Sequence, residues 1–224
     1  MELKGAVAVV TGANRGLGRH LADQLVQRGA KVYAAARRPE TVDLAGVTPL
    51  RLDVTDEESV RAAARVASDA TLLVNNAGIS TGTTLITGEL DAVRRELETN
   101  FFGPLALTRA FAPVIEGNGG GAVLHVLSAL SWLHPAGLGS YAATKAATWA
   151  QTNAVREELA PRGITVTALH VAYMDTDMAT LVPADQKVDP ADVAAQALNA
   201  VADGLPEILA DDVTRQVKRG LATA

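Results

Sequence analysis

Residues 6–18, AVAVVTGANRGLG, decide the fold of this 224-residue chain. The first five of them are apolar and rich in valine, and a run this short and β-branched predicts a buried parallel strand. Gly12, Gly16 and Gly18 follow, and the absence of a Cβ lets their backbone turn sharply and approach another molecule closely. From Leu17 onward the apolar residues recur at helical spacing until a glycine ends the pattern.

This strand, turn and helix start together predict a site for an anion. The first N–H groups of a helix have no partner within the helix, and the helix dipole is positive at that end, so both favour a phosphate. The phosphates of a dinucleotide are the natural occupant. Because the spacing is Gly-x-x-x-Gly-x-Gly rather than the commoner Gly-x-Gly-x-x-Gly, a purely structural turn remains an alternative.

Length, composition and charge limit the class of protein. Hydrophobic residues make up 48% of the chain and aromatic residues only 4%, which predicts a core of alanine, valine and leucine. Such a core is typical of helices packed on a parallel sheet. The length suits one α/β domain, so residues 1–224 are expected to form a single domain. The net charge of −5 and the absence of a basic run argue against a nucleic-acid partner.

The residue types that are missing narrow the chemistry further. The sequence has no cysteine, which excludes disulfides, thiolate metal sites and a cysteine nucleophile. Its histidines lack metal-ligand spacing, so we expect no metal, and we expect His125 and His170 to be core or strand-end residues. No apolar stretch approaches the ~20 residues of a membrane-spanning helix, and the first one is too short for a signal peptide. These features predict a cytoplasmic protein without a membrane partner.

Strand and helix patterns alternate along the whole chain. Strands are predicted at residues 6–10, 31–36, 48–54, 71–78, 122–128, 164–170 and 206–210. Helices are predicted at residues 17–29, 56–68, 89–116, 140–160, 190–202 and 211–221. The alternation predicts an α/β fold, namely a Rossmann-like, doubly wound three-layer α/β/α sandwich with a mostly parallel central sheet of about seven strands.

The end of the second strand indicates which dinucleotide binds. A fold that prefers NAD usually offers an acidic residue there to the adenosine ribose, whereas this chain has Ala36 and then Arg37. A guanidinium attracts a 2′-phosphate, so the site is predicted to take NADP(H), with Arg15 closing on the same phosphate from the other side. The alternative is that Arg37 merely solvates a loop, and for Arg38 that interpretation is the favoured one.

Three other stretches carry candidate site residues. The amides of Asn75-Asn76-Ala77-Gly78 are expected to hydrogen-bond across strand ends, while the two small residues leave room for a ribose. Asp53 is expected to face the adenine amino group, with a purely structural strand end as the alternative. In the helix at residues 89–116, Gly103-Pro104 removes an N–H donor, which predicts a kink or an opened turn near Asn100.

Five motifs in a fixed order make the chain resemble the short-chain dehydrogenase/reductase family. They are Thr11-Gly12-x-x-x-Gly16-x-Gly18, Asn75-Asn76-Ala77-Gly78, Asn100, Ser128 and Tyr141-x-x-x-Lys145, with an interval of thirteen residues from Ser128 to Tyr141. The resemblance covers Lys4 to about Ala210. It implies an NADP(H)-dependent oxidoreductase that interconverts a small or medium apolar ketone or aldehyde and its alcohol. It also implies a homodimer or homotetramer.

The resemblance implies four catalytic residues. Tyr141 is expected to protonate the carbonyl oxygen, or to act as the base in the reverse direction. Lys145, one helical turn along, is expected to lower the pKa of Tyr141 and to hold the nicotinamide ribose. Ser128 is expected to donate a hydrogen bond to the substrate oxygen, with Ser131 as the second candidate. Asn100 is expected to bind a water that relays protons to Lys145, and a purely structural role at the disturbed turn is its alternative.

The cofactor and substrate contacts follow from the same motifs. Residues expected to bind the cofactor are Gly12, Asn14, Arg15, Gly16, Leu17, Gly18, Arg37, Asp53, Val54, Asn76, Ala77, Gly78, Tyr141, Lys145, Met174 and Thr176. Residues expected to line the substrate pocket are Trp132, Leu133, His134, Leu138, Tyr173 and Met178.

One departure from the family leaves other functions open. After the sixth strand the family usually has Pro-Gly, and here the corresponding residues are Val171-Ala172. We therefore expect weaker cofactor affinity, although Thr176 still matches the family pattern. The segment from Met174 to Pro190 is short, which predicts a small lid and an open pocket. A non-catalytic, NADP-sensing regulatory protein is one alternative, and a reductase of imines or carrier-bound acyl chains is another.

Overall fold

One parallel sheet of seven strands forms the centre of the computed structural model, which describes residues 1–221. The strands are β1 (Val7–Thr11), β2 (Lys31–Ala36), β3 (Val47–Arg51), β4 (Leu72–Asn75), β5 (Gly121–Val126), β6 (Ile164–His170) and β7 (Glu207–Leu209). Their order is β3-β2-β1-β4-β5-β6-β7, and every neighbouring pair is parallel. The predicted doubly wound α/β sheet is confirmed, and it is parallel throughout.

Helices cover both faces of the sheet. They are α1 (Gly16–Gln27), α2 (Glu57–Val66), α3 (Leu90–Leu97), α4 (Gly103–Gly117), α5 (Gly139–Leu159), α6 (Pro190–Ala202) and α7 (Asp212–Gly220). Within residues 1–221, none of the helices combines the length and the apolar character that crossing a bilayer requires.

The core is divided between the two faces because successive strand residues point in opposite directions. Val10 packs with Leu21 of α1 and Leu198 of α6 on one face. Its neighbour Val9 packs with Phe111 of α4 on the other face. These side chains are fully buried, so the sheet is covered on both sides, as all-parallel sheets normally are.

The topology creates a crevice beside β1. The chain runs from β1 outward to β3, and then crosses back to place β4 on the other side of β1. Loops that leave two adjacent strands in opposite directions open a gap at the carboxyl ends of those strands, where ligands bind in such folds. The glycine-rich turn after β1 lies at this position.

The helical region at residues 90–117 is interrupted as predicted. A π-helical segment, Glu98–Phe102, connects α3 to α4 and contains the buried Asn100. Pro104 lies in the first turn of α4, where it has no N–H to complete the preceding turn. Asn100 therefore lies in a wider, π-helical turn between two regular α-helices.

Candidate active site

A cleft of about 1520 Å³ lies at the carboxyl ends of the strands. It runs from the glycine-rich turn after β1 to the start of α5. Each of the sixteen residues predicted to bind the cofactor lines this cleft. Their role in binding stays a prediction, but the structure brings all of them to one continuous surface.

The turn between β1 and α1 is shaped to admit an anion. Gly12 and Gly16 have φ angles of +65° and +52°, in the left-handed region that favours glycine. A Cβ on Gly18 would lie 2.3 Å from the carbonyl oxygen of Gly12, so only glycine lets α1 approach the turn this closely. Arg15 precedes α1 and provides no side-chain cap, which leaves the first N–H groups of the helix available to a ligand.

Side chains fix the ends of β1 and β4 to each other. The Thr11 hydroxyl donates to the Val74 carbonyl and accepts from the backbone N–H groups of Asn76 and Ala77. Asn76 also donates through Nδ2 to the Thr11 carbonyl at 2.7 Å. Asn75 does not join this brace, because its Nδ2 turns away to the Thr108 hydroxyl. The predicted bridging by both asparagines is therefore right for Asn76 and wrong for Asn75.

Two arginines lie at the end of the cleft beside the glycine-rich turn, and they differ in whether they form an ion pair. Arg37 is exposed and makes no hydrogen bond or ion pair within residues 1–221. Arg15 instead donates to the Asp177 carboxylate at 3.1 Å, in a pair that is largely exposed to solvent. Asp53 accepts from the backbone and the hydroxyl of Thr55. Burial alone would raise the pKa of Asp53, but these bonds and the nearby Arg37 charge keep it below its usual value.

Ser128, Tyr141 and Lys145 converge at the other end of the cleft. The Ser128 hydroxyl accepts from the Leu130 N–H at 3.1 Å, so its single proton is free to be donated into the cleft. Lys145 Nζ donates to the Val126 carbonyl at 2.8 Å and lies 5.5 Å from the centre of the Tyr141 ring. The Tyr141 hydroxyl has no hydrogen-bond partner within residues 1–221. A proton donor, a hydrogen-bond donor and a cation therefore face the same space.

Burial is the main cause of the pKa shifts of Lys145 and Tyr141. It lowers the pKa of Lys145 to about 8, because the ammonium is removed from water. It raises the pKa of Tyr141 well above its ordinary value, and the negative charge of Glu96 acts in the same direction. The expected lowering of the Tyr141 pKa by Lys145 stays a prediction.

Asn100 lies beneath the cleft rather than on its wall. Its Nδ2 donates to the Ile79 carbonyl and the Thr144 hydroxyl, and its Oδ1 accepts from the Ile79 N–H. Its own carbonyl accepts from the Thr148 hydroxyl at 2.8 Å. The amide thus anchors the segment after β4 to α5, which supports the structural alternative. Its predicted role in a water relay stays a prediction.

Four of the six residues predicted to line the substrate pocket lie on the cleft, and two do not. Leu133, Leu138, Tyr173 and Met178 line the cleft, whereas Trp132 and His134 do not. The short helical turn after Ser128 directs the Trp132 ring inward, where it is only 8% exposed and packs edge-on against Trp149 at 5.7 Å. His134 lies on the exposed loop outside the cleft. The alternative hydroxyl, that of Ser131, is buried without a partner among the described residues, and Ser131 does not line the cleft.

Several cleft residues were not singled out from the sequence. Ser80 and Thr99 line it near Gly78, and Val213 of α7 closes it from the far end of the chain. One face of α3 also lines it through Asp91 and Arg95. The spacing of four residues places those two on one face, but only the packing of α3 shows that the face borders a cleft. No sequence signal points to Val213.

The unusual Val171-Ala172 segment is held firmly by its backbone. The Val171 carbonyl accepts from the Ala129 N–H, and the Ala172 N–H donates to the Asp211 carboxylate at 2.7 Å. Asp211 is buried, caps the start of α7 and also accepts from Thr214. The segment that leads to Met174 is therefore fixed between β5 and α7 without the usual proline and glycine.

The chain resembles known proteins over most of its length. Its sequence matches the family model for short chain dehydrogenase over residues 6–187. It is 33% identical over 216 residues to the 3-oxoacyl-(acyl-carrier-protein) reductase FabG of Vibrio cholerae, covering 87% of this chain and 88% of that protein.

Solved structures show the same fold with dinucleotides bound. A short chain dehydrogenase from Burkholderia cenocepacia in complex with NADP superposes with a TM-score of 0.95 at 38% identity, covering 99% of this chain and 94% of that chain. A 3-ketoacyl-(acyl-carrier-protein) reductase from Brucella melitensis complexed with NADH gives a TM-score of 0.83 at 27% identity, covering 93% of this chain and 95% of that chain.

Proposed function

The chain belongs to the short-chain dehydrogenase/reductase family, and we propose that it is an NADP(H)-dependent oxidoreductase that interconverts an apolar ketone or aldehyde and its alcohol. The observation that carries this proposal is the convergence of Ser128, Tyr141 and Lys145 in the cleft that begins at the glycine-rich turn. The family match supports the assignment as an oxidoreductase. The geometry of the site supports separate roles for these three side chains.

The residues of the chain handle the carbonyl oxygen. A reduced nicotinamide cofactor supplies a hydride to the carbonyl carbon. Ser128 donates a hydrogen bond to the oxygen as negative charge develops there, and Tyr141 transfers its proton to that oxygen. Lys145 places a positive charge near the phenolate that remains, which stabilises it. The raised pKa of Tyr141 keeps the phenol protonated at neutral pH, which is the form that donates a proton in reduction.

The phosphate end of the cleft favours NADP(H) over NAD(H). The exposed guanidinium of Arg37 is unpaired within residues 1–221, and Ala36 before it carries no charge that would repel a 2′-phosphate. The similar Burkholderia protein was solved with NADP and the similar Brucella protein with NADH, so the fold accepts either. Our assignment for this chain therefore rests on Arg37.

The substrate end of the cleft supports an apolar carbonyl compound. Leu133, Leu138, Tyr173 and Met178 line it and are partly or largely exposed. A carrier-bound acyl substrate is the second candidate, and the similarity to the Vibrio reductase favours it. Both candidates use the same hydride and proton transfer and differ only in what lies beyond the carbonyl.

We also propose that the chain forms a homodimer or homotetramer. The exposed side of α5 carries the small residues Ala143, Ala150 and Ala154, and Phe102 at the start of α4 is 48% exposed. Small and aromatic residues on neighbouring helices suit close helix packing between copies. Light scattering is expected to give two or four times the mass of one chain, and a monomer would contradict this proposal.

The catalytic proposal is tested by mixing the pure protein with NADPH and a panel of free ketones, aldehydes and acyl thioesters of a carrier protein. We expect loss of nicotinamide absorbance with at least one apolar carbonyl compound. Turnover only with the carrier-bound thioesters would select the second candidate. NADPH binding without any turnover would contradict both and would favour a cofactor-sensing protein.

A further inference from the structure

The peptide group between Ser128 and Ala129 is held on both sides by the end of β6. The Ala129 N–H donates to the Val171 carbonyl at 3.1 Å. The Ser128 carbonyl accepts from the His170 side chain through Nδ1 at 3.1 Å and from the Ser131 N–H at 3.0 Å. The β5–β6 register ends at Val126 and Leu169, and beyond it an imidazole from the last residue of β6 bonds the Ser128 carbonyl. His170 is therefore the one side chain among the three groups that hold the peptide next to the Ser128 hydroxyl, within residues 1–221.

The protonation state of His170 follows from its surroundings. The side chain is fully buried and stacks on the Trp132 ring at 4.0 Å, with 18° between the planes. Burial lowers the pKa of His170 to about 4, so the ring is neutral near pH 7. A carbonyl oxygen only accepts hydrogen bonds, which assigns the single ring proton to Nδ1. Nε2 lies 3.5 Å from the Glu207 carboxylate, and that carboxylate is paired with Lys218.

We propose that His170 is a positioning residue for the reaction, acting through Ser128, an inference that rests on the proposed function. Without the Nδ1 donor, the buried Ser128 carbonyl keeps only the Ser131 N–H as a partner, so the peptide gains freedom to rotate. Rotation displaces the attached Oγ from the position at which it meets the substrate oxygen. A shift of about 1 Å in a catalytic group is enough to cost about a hundredfold in rate.

Three substitutions of His170 separate the loss of the hydrogen-bond donor from the loss of the ring. His170→Leu removes the donor and is expected to lower kcat by about tenfold to a hundredfold, with KM for NADPH unchanged within about twofold. His170→Asn places an amide N–H at the δ position and is expected to restore most of kcat. His170→Gln carries its amide one methylene farther and is expected to show the loss, which provides a comparison if the leucine variant does not fold.

Thr167→Val provides a matched control for lost stability. Thr167 lies on the same strand, is fully buried and donates to the Leu205 carbonyl at 2.7 Å without touching Ser128. Its valine variant is expected to melt at a lower temperature but to keep its kcat. If Thr167→Val lowered kcat as much as His170→Leu, general destabilisation would explain both variants and the positioning role would be overturned.

A double-mutant cycle with Ser128→Ala tests whether His170 affects kcat through Ser128. If His170 acts through the serine hydroxyl, His170→Leu should cost less than about twofold in kcat once that hydroxyl is gone. A full additional loss in the Ser128→Ala background would overturn the proposal. If the unmodified protein reduces a carbonyl compound and His170→Leu has the same kcat, only the positioning role is overturned. If the unmodified protein reduces no carbonyl compound, the proposed function itself is overturned.

Discussion

Tyr141 illustrates how burial sets the chemistry of a single residue. Its hydroxyl faces the cleft without a partner among residues 1–221, and burial raises its pKa, with Glu96 adding to the effect. A phenol in this state gives up a proton only when a stronger base is formed next to it. The oxygen of a carbonyl that receives a hydride becomes such a base, so Tyr141 can act as its proton donor.

Removal of the phenol should abolish most of the activity. Tyr141→Phe is expected to lower kcat for carbonyl reduction by about a hundredfold to ten-thousandfold, since it deletes the general acid. The dissociation constant of NADPH should change by less than about threefold. Tyr33→Phe is the matched control, because the Tyr33 hydroxyl bonds Asp69 far from the cleft. A Tyr141→Phe variant with unchanged kcat would contradict the assigned role.

The pH dependence of reduction should follow Lys145. With its pKa lowered to about 8 by burial, the ammonium is present below that pH and is lost as the pH rises through it. Tyr141 stays protonated over the same range. We therefore expect kcat at saturating NADPH to be flat from about pH 6 to 7 and to fall above pH 8. Enzyme returned from high pH to pH 7 should regain full activity, and a kcat that increases through this window would contradict the assignment.

Arg37 should determine the choice between the two cofactors. Arg37→Ala is expected to weaken NADPH binding by about tenfold to a hundredfold, because a charge-assisted hydrogen bond to the 2′-phosphate is lost. NADH has no such phosphate and provides the internal control, so its affinity should stay the same. Titrations monitored by fluorescence measure both constants. An equal loss for NADPH and NADH would show that Arg37 acts elsewhere.

At the scale of secondary-structure elements, the glycine-rich turn fixes α1 against β1. Gly18 lies on α1, yet its Cα faces the Gly12 carbonyl and the Asn76 amide across the turn. The same Asn76 amide ties β4 to β1. One strand, one helix and a second strand therefore meet at a point where no side-chain carbon fits.

Gly18→Ala tests this close packing. The added Cβ would lie 2.3 Å from the Gly12 carbonyl and 2.5 Å from Asn76 Nδ2, so the turn must move. We expect a loss of about 1–3 kcal/mol in the free energy of unfolding and a large loss of NADPH affinity. Thermal melting and cofactor titration measure the two effects. Gly137→Ala, with open space around its Cβ, should change neither, and a stable Gly18→Ala variant with full affinity would contradict the packing argument.

The sequence was most informative where chemistry depends on local spacing. Tyr141 and Lys145 share one face of α5 because they are four residues apart, and Ser128 follows a strand whose end could be recognised. Trp132 was misplaced because an aromatic residue in a loop can turn toward the cleft or toward the core, and only the packing of β6 and α5 decides. The bond from His170 to Ser128 joins residues 42 positions apart, which no local pattern reveals.

At the scale of the whole molecule, the cleft is formed by two separate parts of the chain. The turn after β1 forms one wall, and the segment after β6 forms the other. Arg15 and Asp177 connect the two walls through an exposed pair, and such pairs contribute little to stability in water. The walls are therefore linked only weakly at this point, so Arg15 is free to exchange Asp177 for a phosphate.

A crystal structure of this protein with NADP tests the central claim most directly. We expect the nicotinamide ring beside Ser128 and Tyr141, its ribose on Lys145, and the 2′-phosphate against Arg37. The diphosphate should lie at the start of α1, where the glycine-rich turn leaves the N–H groups available. A nicotinamide ring bound away from Tyr141, or a cofactor bound outside the cleft, would contradict the assigned chemistry.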